Sequence, residues 1–354
     1  MRPTDKVLPE FVYYLVRQDA FRQEAKEHMT GSVGQARVPV GFLREYEVLL
    51  PPVAEQREIV DKVKALLAEV NAARERLATV PKILKSFRQS VLTAACSGRM
   101  TEEWRMTHQS NAPQRLPAES RATALYNIET SLSQSDMDEL ELEELPNSWT
   151  WTRVERIADV ALGGTPSRKE PAYWNGHIRW VSSGEVANCR IALTREMITE
   201  RGLRESNAKI YPPGTVLIAM IGEGKTRGQS AILDVEACTN QNVAGLLVDA
   251  TVATSAYVWY WARAQYEGNR ASGRGGNQPA LNGQKVRRLP FPLPPIQEQT
   301  EIVRRVEELF ALADTIESHV AEATARTDRI TQAILAKAFR GELTTACNTN
   351  PSIT

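Results

Sequence analysis

The chain has few of the side chains that build disulfide frameworks, metal centres or hydrolytic active sites. Its 354 residues include only four cysteines and four histidines. The cysteines show no C-x-x-C spacing and no histidine beside them, so neither a disulfide framework nor a zinc site is indicated. The histidines are scattered and form no constellation for general-base chemistry. These residues are Cys96, Cys189, Cys238, Cys347, His28, His108, His177 and His319.

Long apolar runs are also missing. No stretch of 18 apolar residues occurs, so no membrane-spanning helix is expected. The first residues lack the apolar core and the cleavage site of a signal peptide. We therefore expect a cytoplasmic protein. The net charge is zero, with 43 basic and 43 acidic side chains, so a charge-driven partner has to be sought region by region.

The most informative feature of the sequence is an internal repeat. Residues 50–101 begin LPPVAEQREIV and residues 293–344 begin LPPIQEQTEIV, at a constant offset of 243 positions without a gap. The two copies share 17 identical residues. All but one of these identities lie in the two end blocks, and the middle has drifted almost completely.

The middle of each copy keeps a period instead. Apolar residues recur at alternating spacings of four and three, the a/d pattern of a coiled coil. Pro-Pro precedes each predicted helix, Gly98 and Gly341 suit their ends, and Pro81 is expected to kink or split the first helix. Paired antiparallel, two such helices would form a bar of roughly 60 Å at 1.5 Å per residue. The predicted pairing seam consists of Ile59, Val63, Leu66, Val70, Leu77, Leu84, Ile302, Val306, Leu309, Ile316, Val320 and Ile330.

Charge divides the rest of the chain into contrasting regions. Residues 102–144 contain ten acidic and three basic side chains, which is typical of a solvated linker. Residues 145–292 contain 18 basic and 12 acidic side chains, a net charge of +6. This excess is compatible with a polyanionic partner but is not specific for one.

Residues 145–292 are predicted to form a mixed α/β domain. Short β-rich segments are interrupted by Gly, Pro and Asn, and one helix is expected near 255–265. The loops are rich in Arg and Lys, which reach phosphates or guanine, and in Asn and Gln, which pair with adenine. Ordinary surface turns share this composition, so the composition alone decides nothing. The loops are 163–169, 222–229, 239–243 and 273–282.

The repeat continues weakly ahead of each predicted helix. Residues 31–52 parallel 273–295, and residues 11–14 parallel 257–260 with a shift of three positions. Residues 1–50 are therefore interpreted as the C-terminal remnant of a domain like 145–292, with the front of that domain missing. Either the chain is a naturally truncated form or its true start lies upstream.

Several strings, in sequential order, resemble one known family. They are the helix opening LPP-[VI]-x-EQ-x-EIV, LPNSWTWTRVERIADVALGGTPS, WNGHIRWVSSGEV, GEGKTRGQSAIL, TNQNVAGL and GGNQPALNGQKVRRLPFPLPP. Together they span nearly the whole chain and resemble the specificity subunits of Type I restriction–modification systems.

The resemblance implies a non-catalytic subunit that reads DNA for a Type I restriction endonuclease and adenine methyltransferase complex. Two target-recognition domains would each read half of a bipartite site, and antiparallel helices would set the gap between the halves. The implied partners are double-stranded DNA, methyltransferase (modification) subunits and ATP-dependent restriction subunits with translocase and nuclease activity. S-adenosylmethionine, ATP and Mg would be used by those partners, and no cofactor or metal is expected on this chain.

The chain departs from the family pattern because most of the first recognition domain is absent. A self-dimer through the spacer helices is a possible remedy, since two copies would present two identical domains to a symmetric site. The predicted organisation is a domain remnant (1–50), a first spacer helix (51–101), an acidic linker (102–144), a complete recognition domain (145–292), a second spacer helix (293–344) and a tail (345–354).

Other functions remain open at this point. GEGKT at 222–226 echoes a phosphate-binding loop, but Ala219 stands where that motif needs its first glycine. A coiled-coil scaffold without DNA binding, or an inactive or recombination-donor fragment of a specificity subunit, would also fit the repeat.

The candidate DNA-binding residues come from three of the four polar loops. The basic ones would contact phosphates or bases, and the polar ones are candidates for reading bases. They are Thr165, Arg168, Lys169, Lys225, Thr226, Arg227, Gln229, Arg274, Asn277 and Gln278. No catalytic residue is predicted.

Overall fold

The computed structural model contains mixed helix and sheet together with two long helices, which confirms the predicted fold class. It describes residues 5–31, 36–108, 132, 137, 140, 142–222, 225–266 and 281–344. The chain divides into two compact units: residues 1–85 with 313–354, here called unit 1, and residues 86–312, here called unit 2. The predicted tail and most of the predicted acidic linker lie outside the described residues.

All strands among the described residues lie in unit 2, where they form three sheets. A five-stranded sheet has the order β2-β9-β6-β7-β4, a three-stranded sheet has the order β5-β3-β8, and β1 pairs with β10. All neighbours are antiparallel except β4 with β7 and β3 with β8. The strands are β1 Thr150–Arg153, β2 Ala158–Leu162, β3 Trp174–Val181, β4 Cys189–Ile191, β5 Glu196–Ile198, β6 Val216–Ala219, β7 Ser230–Leu233, β8 Cys238–Thr239, β9 Val243–Val248 and β10 Pro290–Leu293.

The five-stranded sheet is the centre of unit 2. Every residue of β6 and β7 is buried, which explains why these strands read as continuous apolar runs rather than as alternating ones. The aromatic helix Ser255–Ala264 packs against β6 and β7 and is buried over six consecutive residues. Its N-cap is Thr254, whose side chain accepts a hydrogen bond from the Tyr257 amide at 3.3 Å.

The two long helices are Val53–Cys96 and Ile296–Phe339, each 44 residues. They are here called the first and second long helix. The first is one continuous helix that contains Pro81, so the expected split at this proline does not occur. Shorter helices are Pro9–Leu15, Asp19–Glu27, Val40–Glu45, Glu102–His108, Glu200–Arg204 and Gly283–Arg288.

In unit 1, the start of the first long helix packs against the end of the second, as antiparallel neighbours do. Ile59 and Val63 share a core with Leu335 and Ala338. Phe11 of the helix Pro9–Leu15 belongs to the same core, and its ring lies 4.8 Å from that of Phe339. In this unit the apolar stripe of one helix is therefore covered by the other helix and by the N-terminal segment.

In unit 2, the end of the first long helix packs against the start of the second. Val91, Leu92 and Ala95 share a core with Ile302 and Val306, again as antiparallel neighbours. The same core contains residues of the aromatic helix, the two residues that flank β1 (Trp149 and Val154), and Phe291 and Leu293 of β10.

In the first turn of each long helix, a buried glutamine holds the segment before the helix. In unit 1, Gln56 accepts a hydrogen bond from the Leu8 amide at 2.9 Å and donates to the carbonyls of Lys6 (2.9 Å) and Pro51 (2.8 Å). Its side chain is fully buried.

Gln299, 243 positions later, makes the equivalent contacts in unit 2. It accepts from the Thr254 amide at 2.8 Å and donates to the carbonyls of Val252 (3.1 Å) and Pro294 (2.9 Å). Two loops of unrelated sequence are thus fixed to the two helix starts in the same way.

Contacts at the helix ends repeat as well. In unit 1, Thr344 donates to Glu55 at 3.0 Å. In unit 2, Thr101 donates to Glu298 at 2.6 Å. Gly98 and Gly341, which terminate the helices, both have left-handed backbone angles, with φ of 78° and 76°, a conformation that glycine adopts without strain.

In each unit, a basic side chain of one long helix donates a hydrogen bond to the backbone carbonyl of the equivalent residue beyond the end of the other helix. Lys62 donates to the Leu343 carbonyl at 2.9 Å, and Arg305 donates to the Met100 carbonyl at 2.7 Å. The identical residues at the ends of the repeat therefore lie where helix starts, helix ends and preceding segments meet. The drifted middle of the repeat makes none of these contacts.

The predicted seam differs from the structure at three positions. Leu66, Ile316 and Ile330 are exposed. In the first helix Leu67 is buried instead of Leu66, because the stripe passes through Val63, Leu67 and Val70 rather than keeping the assumed spacing. The other nine predicted seam residues are buried or half-buried.

Within the described residues, no helix is both long enough and apolar enough to cross a membrane.

Candidate nucleic-acid interface

One edge of the five-stranded sheet gathers several loops of unit 2. Leu162, the last residue of β2, is paired with Ala244 near the start of β9, and Ala219, the last residue of β6, is paired with Val243. Antiparallel pairing therefore brings together the loop after β2, the loop between β6 and β7, and the loop between β8 and β9. We call this surface the loop edge.

The loop after β2 is fixed at close range to the loop between β8 and β9. The Gly164 amide donates to the Thr239 carbonyl at 2.8 Å, and the Thr165 hydroxyl donates to the Gln241 side chain. A Cβ atom on Gly163 would lie closer than 3.0 Å to Thr239 and Asn240. Only glycine permits this approach, since any other residue would push the two loops apart.

The loop between β6 and β7 joins the same edge. The Met220 amide donates to the Asn242 carbonyl at 2.9 Å, and the Gly228 amide donates to the Ala219 carbonyl at 2.8 Å. Because β6 and β7 are antiparallel neighbours, the segment that contains GEGKT connects one strand to another strand. A phosphate-binding loop instead connects a strand to a helix, so this geometry argues against nucleotide binding there.

The fourth predicted loop, 273–282, lies mostly outside the described residues, and so do its candidates Arg274, Asn277 and Gln278. Its two flanks are described. Tyr266, before it, donates its hydroxyl to the Lys225 carbonyl at 2.8 Å. Gly283, after it, lies beside Leu162, since a Cβ at Gly283 would be 3.3 Å from that side chain. Both flanks are therefore at the loop edge.

The predicted DNA-binding residues that the structure describes differ in solvent exposure and in their salt bridges. Lys169 and Lys225 are exposed, whereas Thr226, Arg227 and Gln229 are half-buried. None of the three basic residues has a salt bridge to another described residue. They form the positive part of the loop edge.

Arg168 has partners within the domain. Its guanidinium forms a two-pronged ion pair with Glu196, one arm at 2.9 Å, and lies 3.8 Å from the ring centre of Trp174. The hydrogen bond to Glu196 raises the pKa of Arg168, and the same bond lowers the pKa of Glu196. Arg168 thus anchors its loop to β5 and the start of β3.

Residues of the TNQNV segment (239–243) belong to this surface, although none of them is among the predicted DNA-binding residues. Gln241 is exposed beside Thr165, and the Asn240 side chain accepts from the Asn242 amide at 3.1 Å. The available signal was the run of amides itself, but the sequence could not show that this segment lies between the two other loops.

No group of side chains able to hold a metal ion occurs among the residues that the structure describes. The described part of the loop edge consists of amides, hydroxyls, backbone groups and cations without a salt bridge to another described residue, and such groups bind anions and base edges.

Comparison with known proteins also points to DNA recognition. Residues 146–323 match the family described as the Type I restriction modification DNA specificity domain. The chain is 34% identical over 337 residues to the Type I restriction enzyme EcoDI specificity subunit of Escherichia coli, covering 95% of this chain and 70% of that protein. The chain belongs to the family of Type I restriction enzyme specificity subunits.

Solved structures of this family share the fold. The HsdS subunit from Thermoanaerobacter tengcongensis has a TM-score of 0.57 and 21% identity, covering 96% of this chain and 71% of that one. A chain from a structure of the type I R-M system has a TM-score of 0.68 and 21% identity, covering 97% of this chain and 74% of that one. As a specificity subunit, this chain serves DNA sequence specificity in a restriction–modification complex and is not itself the enzyme.

Proposed function

We propose that this specificity subunit reads its DNA target with the loop edge of unit 2. The observation that carries the proposal is the meeting of three loops, and both flanks of a fourth, at one edge of the sheet. Loops from four parts of the sequence can then contact neighbouring positions in one groove of the DNA.

The side chains at the loop edge suggest a division of roles. Lys169, Lys225 and Arg227 would contact phosphates, because they are positive and have no ion-pair partner among the described residues. Gln229 and Gln241, with Thr165 and Thr226, would read base edges. Arg168 would act by positioning its loop, since its guanidinium is held by Glu196 and Trp174. Arg274 stays a candidate for a phosphate or base contact, and Asn277 and Gln278 stay candidates for base reading.

The wider complex supplies the chemistry in this proposal. Modification subunits would methylate adenine with S-adenosylmethionine, and restriction subunits would use ATP and Mg to translocate and cleave DNA. This chain would bind none of these cofactors. Its part is to bring the partners to a chosen sequence in the cytoplasm.

The long helices would serve as the spacer element, paired with each other within one chain. Both ends of their apolar stripes are already covered, by Leu335 and Ala338 in unit 1 and by Val91 and Leu92 in unit 2. We therefore favour a chain whose helices pair internally over a self-dimer through the same stripes.

The decisive experiment is to co-express the chain with a cognate modification subunit and map adenine methylation in the host genome. We expect methylation at one recurring sequence. A Gln241→Ala variant should change the permitted base at one position, by about 1–3 kcal/mol of discrimination. Methylation at no defined sequence, with the complex assembled, would favour a scaffold or an inactive fragment instead.

A further inference from the structure

A further exposed segment of unit 2 lies against the loop edge. Residues 206–210, here called the flanking segment, come shortly after the helix Glu200–Arg204. A Cβ atom on Gly164 would lie 2.4 Å from the backbone carbonyl carbon of Asn207 and 2.5 Å from the nitrogen of Ala208. The backbone of the flanking segment is therefore in direct contact with the loop after β2, which carries predicted DNA-binding residues.

Both ends of the flanking segment are fixed to the domain. Before it, Glu205 accepts a hydrogen bond from the Tyr173 hydroxyl at 2.6 Å. After it, the Tyr211 amide donates to the Ala237 carbonyl at 2.9 Å, and the Ala237 amide donates to the Tyr211 carbonyl at 3.2 Å. Between these ends, Ala208 is buried with residues of β3, β5 and β8. A segment held in this way loses little conformational freedom when it binds a ligand.

Backbone contacts order four segments of this surface. The loop between β6 and β7 meets the loop between β8 and β9, where the Met220 amide donates to the Asn242 carbonyl at 2.9 Å. That loop, with the last residue of β8, meets the loop after β2, where the Gly164 amide donates to the Thr239 carbonyl at 2.8 Å. The flanking segment follows, packed on Gly164. Three such contacts of roughly 5 Å each span about 14 Å. This span is close to the width of the major groove, about 12 Å, and exceeds that of the minor groove, about 6 Å.

Each outer segment of this row exposes a lysine. Lys225, in the loop between β6 and β7, is held on the side of the aromatic helix, because its carbonyl accepts a hydrogen bond from the Tyr266 hydroxyl at 2.8 Å. Lys209, in the flanking segment, follows Ala208, which is buried in the core of the three-stranded sheet. Both lysine side chains are exposed. The two cations therefore lie on opposite sides of the inner segments.

We propose that the flanking segment is a fifth DNA-reading element of the loop edge, and that Lys209 and Lys225 contact phosphates of opposite strands across the major groove. The inner segments then face the bases. Asn207, exposed beside Gly164, reads a base edge, since an asparagine side chain can pair with adenine. This assignment rests on the proposed reading of DNA by the loop edge, to which it adds two residues and an orientation on the duplex.

Ethylation interference on the assembled complex with cognate modification subunits tests the orientation. The probe is a duplex that contains the methylated sequence and carries ethylated phosphates at random positions. We expect ethylation of particular phosphates on both strands to block binding of the parent. Lys209→Ala should remove the block on one strand and Lys225→Ala on the other, because each of those phosphates has then lost its partner. Each variant should also reduce the slope of log affinity against log salt by about one.

Matched variants separate these contacts from damage to the fold. Lys209→Arg keeps the charge and should keep the parent's interference pattern, while Lys26→Ala, an exposed lysine of unit 1, should change neither the pattern nor the salt slope. Asn207→Ala should keep every phosphate contact but reduce the discrimination between bases at one position by roughly 5- to 100-fold. Asn71→Ala, an exposed asparagine of the first long helix, should leave the methylated sequence unchanged. All of these variants should melt as the parent does.

The outcomes distinguish this assignment from the proposed function. If Lys209→Ala keeps the parent's pattern and slope while Lys225→Ala changes both, the flanking segment lies outside the interface and the loop edge still reads DNA. Loss of contacts to the same strand in both variants would overturn the orientation, and an unchanged methylated sequence in Asn207→Ala would reject its base contact. If Lys225→Ala and Gln241→Ala also behave as the parent does, the proposed function fails as well.

Discussion

Gln56 and Gln299, 243 positions apart, each accept one amide and donate to two carbonyls at the start of a long helix. Each side chain is fully buried, so its amide group replaces water for three backbone groups at once. These contacts account for the glutamine at the same place in both copies of the repeat, since a shorter or charged side chain would leave those groups unsatisfied.

Replacing either glutamine by alanine should destabilise its own unit. Gln299→Ala removes three buried hydrogen bonds, at a cost of about 2–3 kcal/mol in the free energy of unfolding. Hydrogen exchange should accelerate at the Thr254 amide in this variant and at the Leu8 amide in Gln56→Ala. The exposed Gln284→Ala is the control and should change neither. Equal acceleration at both amides in each variant would contradict a local role.

Acid should weaken the start of the second long helix. The hydrogen bond from Arg304, with that from Arg305, lowers the pKa of Glu301 from its ordinary value of 4.5 to about 2. A depressed carboxyl pKa contributes stability above the unfolded value, and this stability is lost as the pH falls from about 4.5 toward 2.

Glu301→Gln should therefore lower the melting temperature by roughly 2 °C at pH 7, and the difference from the parent should shrink below pH 4. Glu308→Gln, which alters an exposed carboxyl paired with Arg304, should have a smaller effect. Melting curves from pH 2 to pH 7 test this. A constant difference across that range would show that the charge is not responsible.

DNA affinity should depend on the exposed lysines of the loop edge. Lys169→Ala and Lys225→Ala should weaken binding of the assembled complex to all DNA sequences alike, and each should reduce the slope of log affinity against log salt by about one. Lys26→Ala, an exposed lysine of unit 1, is the matched control. Filter binding at several salt concentrations gives both quantities, and unchanged slopes in the loop-edge variants would remove these lysines from the interface.

Gly163 should tolerate no side chain. A Cβ there would meet Thr239 and Asn240 closer than 3.0 Å, so Gly163→Ala must separate the two loops and should destabilise unit 2 by about 1–3 kcal/mol. Gly184→Ala is the control, because its nearest neighbour, the Ser182 hydroxyl, would lie 3.9 Å away. Urea denaturation and DNA binding should both distinguish the two variants.

The sequence was most informative where a pattern is local. The apolar period predicted both long helices, and the Pro-Pro and glycine signals agree with their ends at Val53–Cys96 and Ile296–Phe339. Which leucine of a pair turns inward was less predictable: Leu66 and Leu67 are adjacent and equally apolar, and only the packing of the partner helix distinguishes them.

The loop edge required tertiary information. Glycines and amides indicated polar loops, but the pairing of β2 and β6 with β9 decides which loops are neighbours. Arg168 shows the same limit. Its sequence context suggests a free cation, whereas Glu196 and Trp174, which hold it, follow 28 and 6 positions later.

Because the helix contacts recur at a fixed offset, one polypeptide contains two equivalent sites at which the same contact can be compared. Lys62 and Arg305 reach corresponding carbonyls with different head groups, so exchanging them compares ammonium with guanidinium in two settings at once. Every substitution at one helix terminus has a counterpart 243 positions away, measured in the same sample and under the same solvent. Effects of the local contact then separate from effects of the loops, which the two halves do not share.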